Sequence, residues 1–263
     1  MKVLLTGGSN GIGFAVTEYL AKQGIEVFVC DLKEGEFTSE NIKFFKMDVT
    51  NLDEIKAVCN TLKEQGEKLD AIVNVAGIFE IDSLIEIPDE KLRKLFEVNL
   101  MGAMFVNKTF HSLLKPNGRI ILTTSEVACL QPLPFNGGYT ITKSALDCYA
   151  QALRQELNVI GQKVVVIRPG AFNTNLSRGS LEKTKQLTEK TVLYKKQSVK
   201  FYKLVKFFMG TPSSPEKIVK TYFKAITKKR PKLVYKKRAN VLLKLMNILP
   251  QGLQCSLIKN ILK

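Results

Sequence analysis

The chain has 263 residues, of which 45% are apolar and 24% charged, and its formal net charge is +16. That apolar fraction supports a sizeable buried core and excludes a disordered chain, and the 17 glycines lack the three-residue period of collagen. No apolar run reaches the roughly 18 residues that a membrane-spanning helix needs, and the short apolar start carries no secretory cleavage site.

Apolar runs alternate with amphipathic stretches from the first residue onward. The predicted strands are Val3–Leu5, Glu26–Cys30, Ile42–Met47, Ala71–Val75, Arg119–Thr124 and Val164–Ile167, with Leu233–Tyr235 as a candidate seventh. The predicted helices are Ile12–Gln23, a helix capped by Asn51 or Asp53 and ending near Gln65, Asp89–Lys115, Tyr139–Ile160 and about Ser214–Thr227. Near-continuous apolar strands alternating with helices are typical of a doubly wound α/β fold, a parallel sheet covered on both faces.

The last third of the chain has a different character. Residues 171–212 are polar, basic and aromatic without a clear strand, which predicts a lid. We expect residues 1–237 to form one Rossmann-type domain that includes this lid, and residues 238–263 to form two basic amphipathic helices broken at 250–252.

Charge is concentrated in the same third. Residues 180–263 hold 21 basic and 3 acidic side chains, a balance of +18, whereas the rest of the chain has a balance of −2. Such an asymmetry indicates an anionic partner, either a membrane or a nucleic acid, although a solvated basic face in a lysine-rich proteome explains it equally well.

Cysteine and histidine usage does not favour a metal site. The five cysteines form no CxxC pair, and the single histidine, His111, cannot complete a zinc site with them. The sequence therefore predicts no metal and reduced, buried thiols in a cytoplasmic protein.

A glycine-rich loop follows the first strand and opens the first helix. It reads TGGSNGIG over residues 6–13 and supplies Thr6, Gly7, Ser9, Asn10, Gly11, Ile12 and Gly13 as candidate cofactor-binding residues. Glycines allow the backbone to approach a pyrophosphate at a helix N-terminus. Asp31 ends the next strand, 20 residues past Gly11, where a carboxylate would bind ribose hydroxyls and repel the extra phosphate of NADP. NAD is therefore predicted, with NADP as the less favoured cofactor.

The order and spacing of these motifs resemble the short-chain dehydrogenase/reductase family. The glycines have the family's Gly-xxx-Gly-x-Gly spacing, Asn-Val-Ala-Gly at 74–77 resembles its Asn-Asn-Ala-Gly with Val75 as a departure, and residues 139–143 match its YxxxK signature. The resemblance implies a catalytic tetrad of Asn99, Ser125, Tyr139 and Lys143. It implies further cofactor contacts from Asp48, Val49, Asn74, Ala76, Gly77, Tyr139, Lys143, Pro169, Gly170 and Thr174.

Elementary chemistry supports the tetrad's roles. Tyr139 and Lys143 are four residues apart and share one helix face. A neighbouring ammonium and the positive nicotinamide ring favour the phenolate, so we expect the pKa of Tyr139 to move toward working pH. Tyr139 would then take the alcohol proton, Ser125 would hold the substrate oxygen, and Asn99 would hold a water that links Lys143 to solvent.

The substrate is inferred from the segments expected to line the pocket, residues 78–86, 126–138 and 171–210. They are apolar, without clustered Arg or His, which favours a lipophilic alcohol or ketone. Candidate substrate contacts are Ser125, Leu130, Phe135 and Phe172. Glu126 either contacts a substrate hydroxyl or lies solvated at the rim. The basic, apolar C-terminal third also loosely resembles hydroxysteroid and retinol dehydrogenase-like members.

Two functions from other classes stay open. A dinucleotide-sensing regulatory protein without turnover would not need the tetrad, and a nucleic-acid-binding protein is disfavoured because zinc spacing and an RNA-binding aromatic signature are missing.

The resemblance implies a homodimer or homotetramer. Residues 239–263 contain no acid and repeat apolar residues at helical spacing, which predicts either peripheral membrane contact or packing on the body or on a partner subunit.

Overall fold

The computed structural model describes residues 1–208, 213–237 and 241–263. A seven-stranded, all-parallel sheet has the order β3-β2-β1-β4-β5-β6-β7, as expected for a doubly wound α/β fold. The strands are β1 Lys2–Thr6, β2 Glu26–Asp31, β3 Ile42–Lys46, β4 Leu69–Asn74, β5 Leu114–Thr123, β6 Lys163–Pro169 and β7 Val234–Lys237.

Helices cover both faces of the sheet. Within the described residues they are α1 Gly11–Lys22, α2 Leu52–Glu64, α3 Asp89–Phe96, α4 Gly102–Phe110, α5 Gly137–Val159, α6 Asn175–Lys190, α7 Lys195–Phe208, α8 Glu216–Thr227, α9 Val241–Ile248 and α10 Gln251–Leu262. Each face of the sheet has its own buried apolar cluster. The predicted Rossmann-type fold is confirmed.

The long helix predicted from Asp89 to Lys115 is wrong in two places. A π-helical turn over Glu97–Met101 separates α3 from α4, and a short 3₁₀ helix ends the stretch at Leu113. The strand then begins at Leu114, five residues before the predicted Arg119, because Leu114 already pairs with β4. The Pro-Asn-Gly run at 116–118, predicted to end the helix, instead lies inside β5, beside a register irregularity.

The segment predicted as a strandless lid forms two helices, α6 and α7, and its residues 209–212 lie outside the described residues. The tail also forms two helices, although the break falls at 249–250, since α10 begins at Gln251. Residues 238–240 lie outside the described part. Helix α10 packs on α7.

The burial of the cysteines differs from the expectation. Cys30 and Cys59 are buried free thiols, but Cys129, Cys148 and Cys255 are exposed, which corrects the prediction of buried cysteines. No helix in the described ranges combines the length and apolarity needed to cross a bilayer. Within those same ranges, no group of three potential ligands could hold a metal ion.

Candidate active site

The glycine loop makes the tight turn between β1 and α1. Gly7 and Gly11 have φ of +70° and +54°, a region that side chains rarely adopt. A Cβ on Gly13 would lie 1.9 Å from the Gly7 carbonyl oxygen, and one on Gly7 would lie 2.6 Å from the Ala76 backbone. Only glycine fits the loop at these positions, so its backbone is held open and close to the end of β4.

The loop fits a dinucleotide phosphate. Within the described part of the chain, no side chain caps the first turn of α1 and no acid lies in it, so its N–H groups and helix dipole are available to an anion. The buried Ser9 hydroxyl has no hydrogen-bond partner among the described residues. Asn10 precedes the helix in an extended conformation, and Ile12 packs against the sheet.

Asp31 lies directly beside this loop. Its carboxylate accepts hydrogen bonds from the backbone N–H of Ser9, at 2.9 Å, and of Leu32, at 2.7 Å. The acid at the end of β2 is thereby fixed against the phosphate loop. This is the position expected of a ribose-binding carboxylate.

The ends of β1 and β4 are joined at the same edge. The Thr6 carbonyl accepts hydrogen bonds from Val75 N–H and Ala76 N–H, at 3.1 and 3.0 Å. The Asn74 amide donates to the Asn107 side chain at 2.8 Å. These bonds fix the backbone that follows β4 directly beside the glycine loop.

Three other predicted cofactor segments are placed as follows. The Asp48 carboxylate accepts two hydrogen bonds from Thr50, and Val49 is buried in the core. Pro169 ends β6, and Gly170 N–H donates to the Lys237 carbonyl. Thr174 reaches the glycine loop, since a Cβ on Gly11 would lie 3.1 Å from it.

Three members of the predicted tetrad meet at the start of α5. The Ser125 side chain, just beyond β5, lies beside the Tyr139 hydroxyl and acts to lower its pKa. The Lys143 ammonium lies 5.9 Å from the centre of the Tyr139 ring and donates to the Thr123 carbonyl at 3.2 Å. Tyr139 and Lys143 are both buried, at 9% and 4% exposed.

The fourth member, Asn99, lies in the π-helical turn between α3 and α4. Its amide exchanges two hydrogen bonds with the Ile78 backbone, at 2.7 and 2.9 Å, and donates to the Thr142 hydroxyl at 3.1 Å. A Cβ on Gly77 would lie 3.1 Å from the Asn99 side chain and 3.3 Å from the Lys143 ammonium. Asn99 and Lys143 therefore face each other across Gly77. Such π turns are frequent at functional sites.

The chain's own residues shift the pKa of Tyr139 in the direction opposite to the expectation. Burial raises its pKa to about 12, the Ser125 side chain opposes this rise, and the Glu126 carboxylate adds to it. Burial also lowers the pKa of Lys143 to about 8. The lowered tyrosine pKa predicted from its lysine neighbour is therefore not produced by the chain alone, because desolvation dominates.

An apolar cluster adjoins the catalytic tyrosine. The Phe79 ring meets the Tyr139 ring edge-on with centroids 4.8 Å apart, and it also packs against the cluster. Phe135, a predicted substrate contact, stacks edge-on with Tyr194 and Phe201 there. The buried members are Ile81, Phe135, Leu187, Phe201 and Leu262.

The other predicted substrate residues have different surroundings. Phe172 is 2% exposed and lies in the core cluster on the α1 and α8 side of the sheet. Its substrate role stays a prediction. Leu130 is half-buried, and the neighbouring Gln131 N–H donates to the Asn247 side chain of α9 at 2.6 Å. The Leu176 side chain lies outside the described residues.

The loop that carries Phe79 is tied to α6 by charged groups. Lys183 binds both the Phe79 carbonyl and Glu80, and Lys190 pairs with the buried Asp82 carboxylate at 2.5 Å. Glu86 accepts hydrogen bonds from the Thr191 hydroxyl and from the backbone N–H of residues 192 and 193. Helix α6 and the loop beside Tyr139 thus form one connected unit.

Sequence reasoning missed two supporting residues. Thr142 lies within the YxxxK signature, where its hydroxyl bonds both Asn99 and the Tyr139 carbonyl. The Thr123 carbonyl holds the Lys143 ammonium. Thr142 lies three residues after Tyr139, about one helical turn away, and this spacing could have indicated its role. The contact from Thr123 is made by its backbone carbonyl, so the residue type gives no indication of it.

Comparisons with known proteins agree with this geometry. A family model described as short chain dehydrogenase matches residues 1–185. The chain is 36% identical to mouse estradiol 17-beta-dehydrogenase 2 over 187 residues, which cover 66% of this chain and 49% of that protein, so it spans about half of that relative. It is 31% identical to L-2,3-butanediol dehydrogenase of Corynebacterium glutamicum over 188 residues, 66% of this chain and 72% of that protein.

Solved structures show the same fold. A short chain dehydrogenase family protein from Francisella tularensis superposes with a TM-score of 0.73 at 26% identity, covering 87% of this chain and 91% of that one. A short-chain dehydrogenase from Burkholderia cenocepacia in complex with NADP superposes with a TM-score of 0.75 at 20% identity, covering 97% and 96%. The chain belongs to the short-chain dehydrogenase family.

Proposed function

We propose that the chain is an NAD(H)-dependent oxidoreductase, an alcohol dehydrogenase or carbonyl reductase, that interconverts a lipophilic secondary alcohol and its ketone. The observation that carries the proposal is the meeting of Ser125, Tyr139 and Lys143 at the start of α5, beside an apolar cluster that Phe79 connects to the tyrosine ring. Relatives named as dehydrogenases of steroids and of butanediol support the same reaction class.

In this proposal Tyr139 is the acid/base group. Its hydroxyl takes the substrate proton in the oxidation direction, while Ser125 holds the substrate oxygen and the charge that develops on it. Lys143 holds the nicotinamide ribose and supplies positive charge next to the phenol. The bound nicotinamide supplies hydride transfer, and its positive ring adds to the stabilisation of the phenolate that burial opposes.

We propose NAD as the preferred cofactor, because the Asp31 carboxylate is fixed beside the phosphate loop by two backbone N–H groups. The additional phosphate of NADP would face that negative charge. Replacing Asp31 with Ala should reduce the preference for NAD over NADP, expressed as the ratio of their kcat/KM values, by about 1–3 kcal/mol. Equal kcat/KM for NAD and NADP in the parent protein would contradict this assignment.

Turnover is tested by screening steroids, retinoids and fatty alcohols for NADH production. Tyr139→Phe should abolish turnover and leave cofactor binding largely intact, because it removes a hydroxyl and little volume. Tyr235→Phe is the matched control, since its hydroxyl accepts a hydrogen bond from the Lys232 backbone N–H beside the edge strand β7. Retention of most activity by Tyr139→Phe on a good substrate would refute the acid/base role.

Assembly and location are also proposals. Family members commonly oligomerise, which supports a homodimer or homotetramer, to be checked by sedimentation equilibrium. We propose a cytoplasmic location with contact to a membrane surface, supported by the basic C-terminal third. Fractionation of cells that express the full chain tests this placement.

A further inference from the structure

Helix α7 presents a basic outer face. Its inner side chains, Phe201, Leu204 and Val205, pack into or against the apolar cluster beside Tyr139. Residues at helical spacing on the opposite side are all exposed: Lys196, Val199, Lys200, Lys203, Lys206 and Phe207. Phe207 is 82% exposed, which is unusual for an aromatic side chain of this size. No acid occurs between residues 190 and 208.

Large apolar side chains continue this face at the start of α7. Val192 and Leu193 are 75% and 62% exposed. Their backbone N–H groups are bonded to Glu86, so the adjoining loop, with Ile85 at 75% exposed, lies beside them. Apolar groups next to lysines that lack acidic neighbours are typical of surfaces that enter a lipid headgroup layer.

The tail contributes its outer side only. Leu262 is buried in the cluster and Ile258 packs against it, so the inner face of α10 is occupied by the protein body and is not available to a membrane. Exposed apolar side chains remain on the outside of α9 and α10: Leu245, Ile248, Leu253 and Ile261. Residues 241–263 contain three lysines and no acid.

We propose that the outer face of α7, with residues 192–193 and the exposed side of α9 and α10, docks on an anionic lipid bilayer. Charge complementarity selects this occupant, because the surface combines lysines with protruding apolar side chains, and α7, α9 and α10 contain no acid. The inner sides of α7 and α10 line the cluster beside Tyr139. A lipophilic substrate would therefore pass from the bilayer to the site without crossing water, which rests on the function proposed above.

The test uses the full chain and two variants of equal charge. One carries Lys196→Gln, Lys200→Gln, Lys203→Gln and Lys206→Gln on α7. The matched control carries Lys217→Gln, Lys220→Gln, Lys224→Gln and Lys228→Gln, which are exposed lysines on or next to α8, on the α1 side of the sheet. Each is sedimented with phosphatidylcholine vesicles, with and without one third phosphatidylserine, at low and high salt.

The full chain and the α8 control should pellet with the anionic vesicles at low salt and be released at high salt. The α7 variant should bind at least about tenfold more weakly, since each lysine near an anionic leaflet strengthens binding several-fold. Phe207→Ser should weaken binding even at high salt, where charge contributes least.

Three outcomes would overturn the proposal. The first is an equal loss of vesicle binding in both lysine variants, and the second is binding of the full chain that does not depend on vesicle charge. The third is an α7 variant that loses binding to duplex DNA while its vesicle binding is unchanged. Turnover of a water-soluble secondary alcohol by the same proteins is measured separately. Turnover without vesicle binding would reject the docking surface alone. Vesicle binding without turnover of any alcohol would reject the proposed function while supporting the docking surface.

Discussion

Replacing the buried Lys143 should make the protein more stable at neutral pH and, under the proposed mechanism, should end turnover. Lys143 is 4% exposed, and burial lowers its pKa from 10.5 to about 8. Such a shift corresponds to about 3 kcal/mol of stability lost while the lysine is charged. Loss of its hydrogen bond to the Thr123 carbonyl, 3.2 Å long, costs about 1 kcal/mol. Lys143→Met, with similar volume, should therefore gain about 2 kcal/mol at pH 7.

The stability difference between the parent and Lys143→Met should depend on pH in a defined direction. Between pH 8 and 10.5 the unfolded chain keeps the Lys143 proton and the folded chain loses it, so the stability of the parent rises with pH in this window. The advantage of Lys143→Met should shrink as pH rises and reverse near pH 10.5, where only the lost hydrogen bond remains. Titration of the tyrosines affects parent and variant alike and cancels in the difference.

Urea unfolding followed by far-ultraviolet circular dichroism measures this difference, since the chain has no tryptophan. Lys108→Met on the exposed side of α4 is the control and should change stability little at either pH. A Lys143→Met protein that is less stable than the parent at pH 7, or a difference independent of pH, would refute the reasoning.

Three further perturbations follow from named contacts. Glu126→Gln removes a charge that raises the pKa of Tyr139, so the alkaline rise of alcohol oxidation should move to lower pH, and an unmoved profile would contradict this. Gly13→Ala would force a Cβ to within 1.9 Å of the Gly7 carbonyl oxygen and should weaken NADH binding, measured by its fluorescence, by at least about tenfold, or roughly 1.4 kcal/mol. Tyr222→Phe removes a fully buried hydroxyl 2.8 Å from a threonine hydroxyl and should lower the free energy of unfolding by about 1–3 kcal/mol.

The sequence predicted the sheet well because its strands are buried on both faces and are continuously apolar. The order of strands and helices from β1 to β6 follows from that pattern, and the closeness of Tyr139 and Lys143 follows from helical spacing. The position of Ser125 beside them was implied by the family resemblance. The π turn at Asn99 was not predicted, because its five residues are too few to show a period of their own between two helices. The early start of β5 was missed because the Pro-Asn-Gly run at 116–118 is normally a strong turn signal.

The surroundings of the substrate were harder to predict than the catalytic residues. Phe172 and Phe135 lie in segments of similar composition, but tertiary packing places the first in the core and the second in the cluster near Tyr139. Composition indicates that a side chain is buried, but it does not indicate which apolar cluster the side chain joins. The direction of the Tyr139 pKa likewise depends on burial, which spacing alone does not reveal.

The charged ties between α6 and the loop after β4 have a consequence for how the molecule opens. Lys183 and Lys190 bind that loop, and Phe79 within it touches Tyr139, so neither side can separate without breaking partly buried ion pairs. Hydrogen exchange should therefore report α6 and residues 79–86 as a single cooperative unit with one opening free energy. Each opening event would at once expose the apolar cluster and remove the aromatic neighbour of Tyr139, so the proton transfer proposed above would require the closed form.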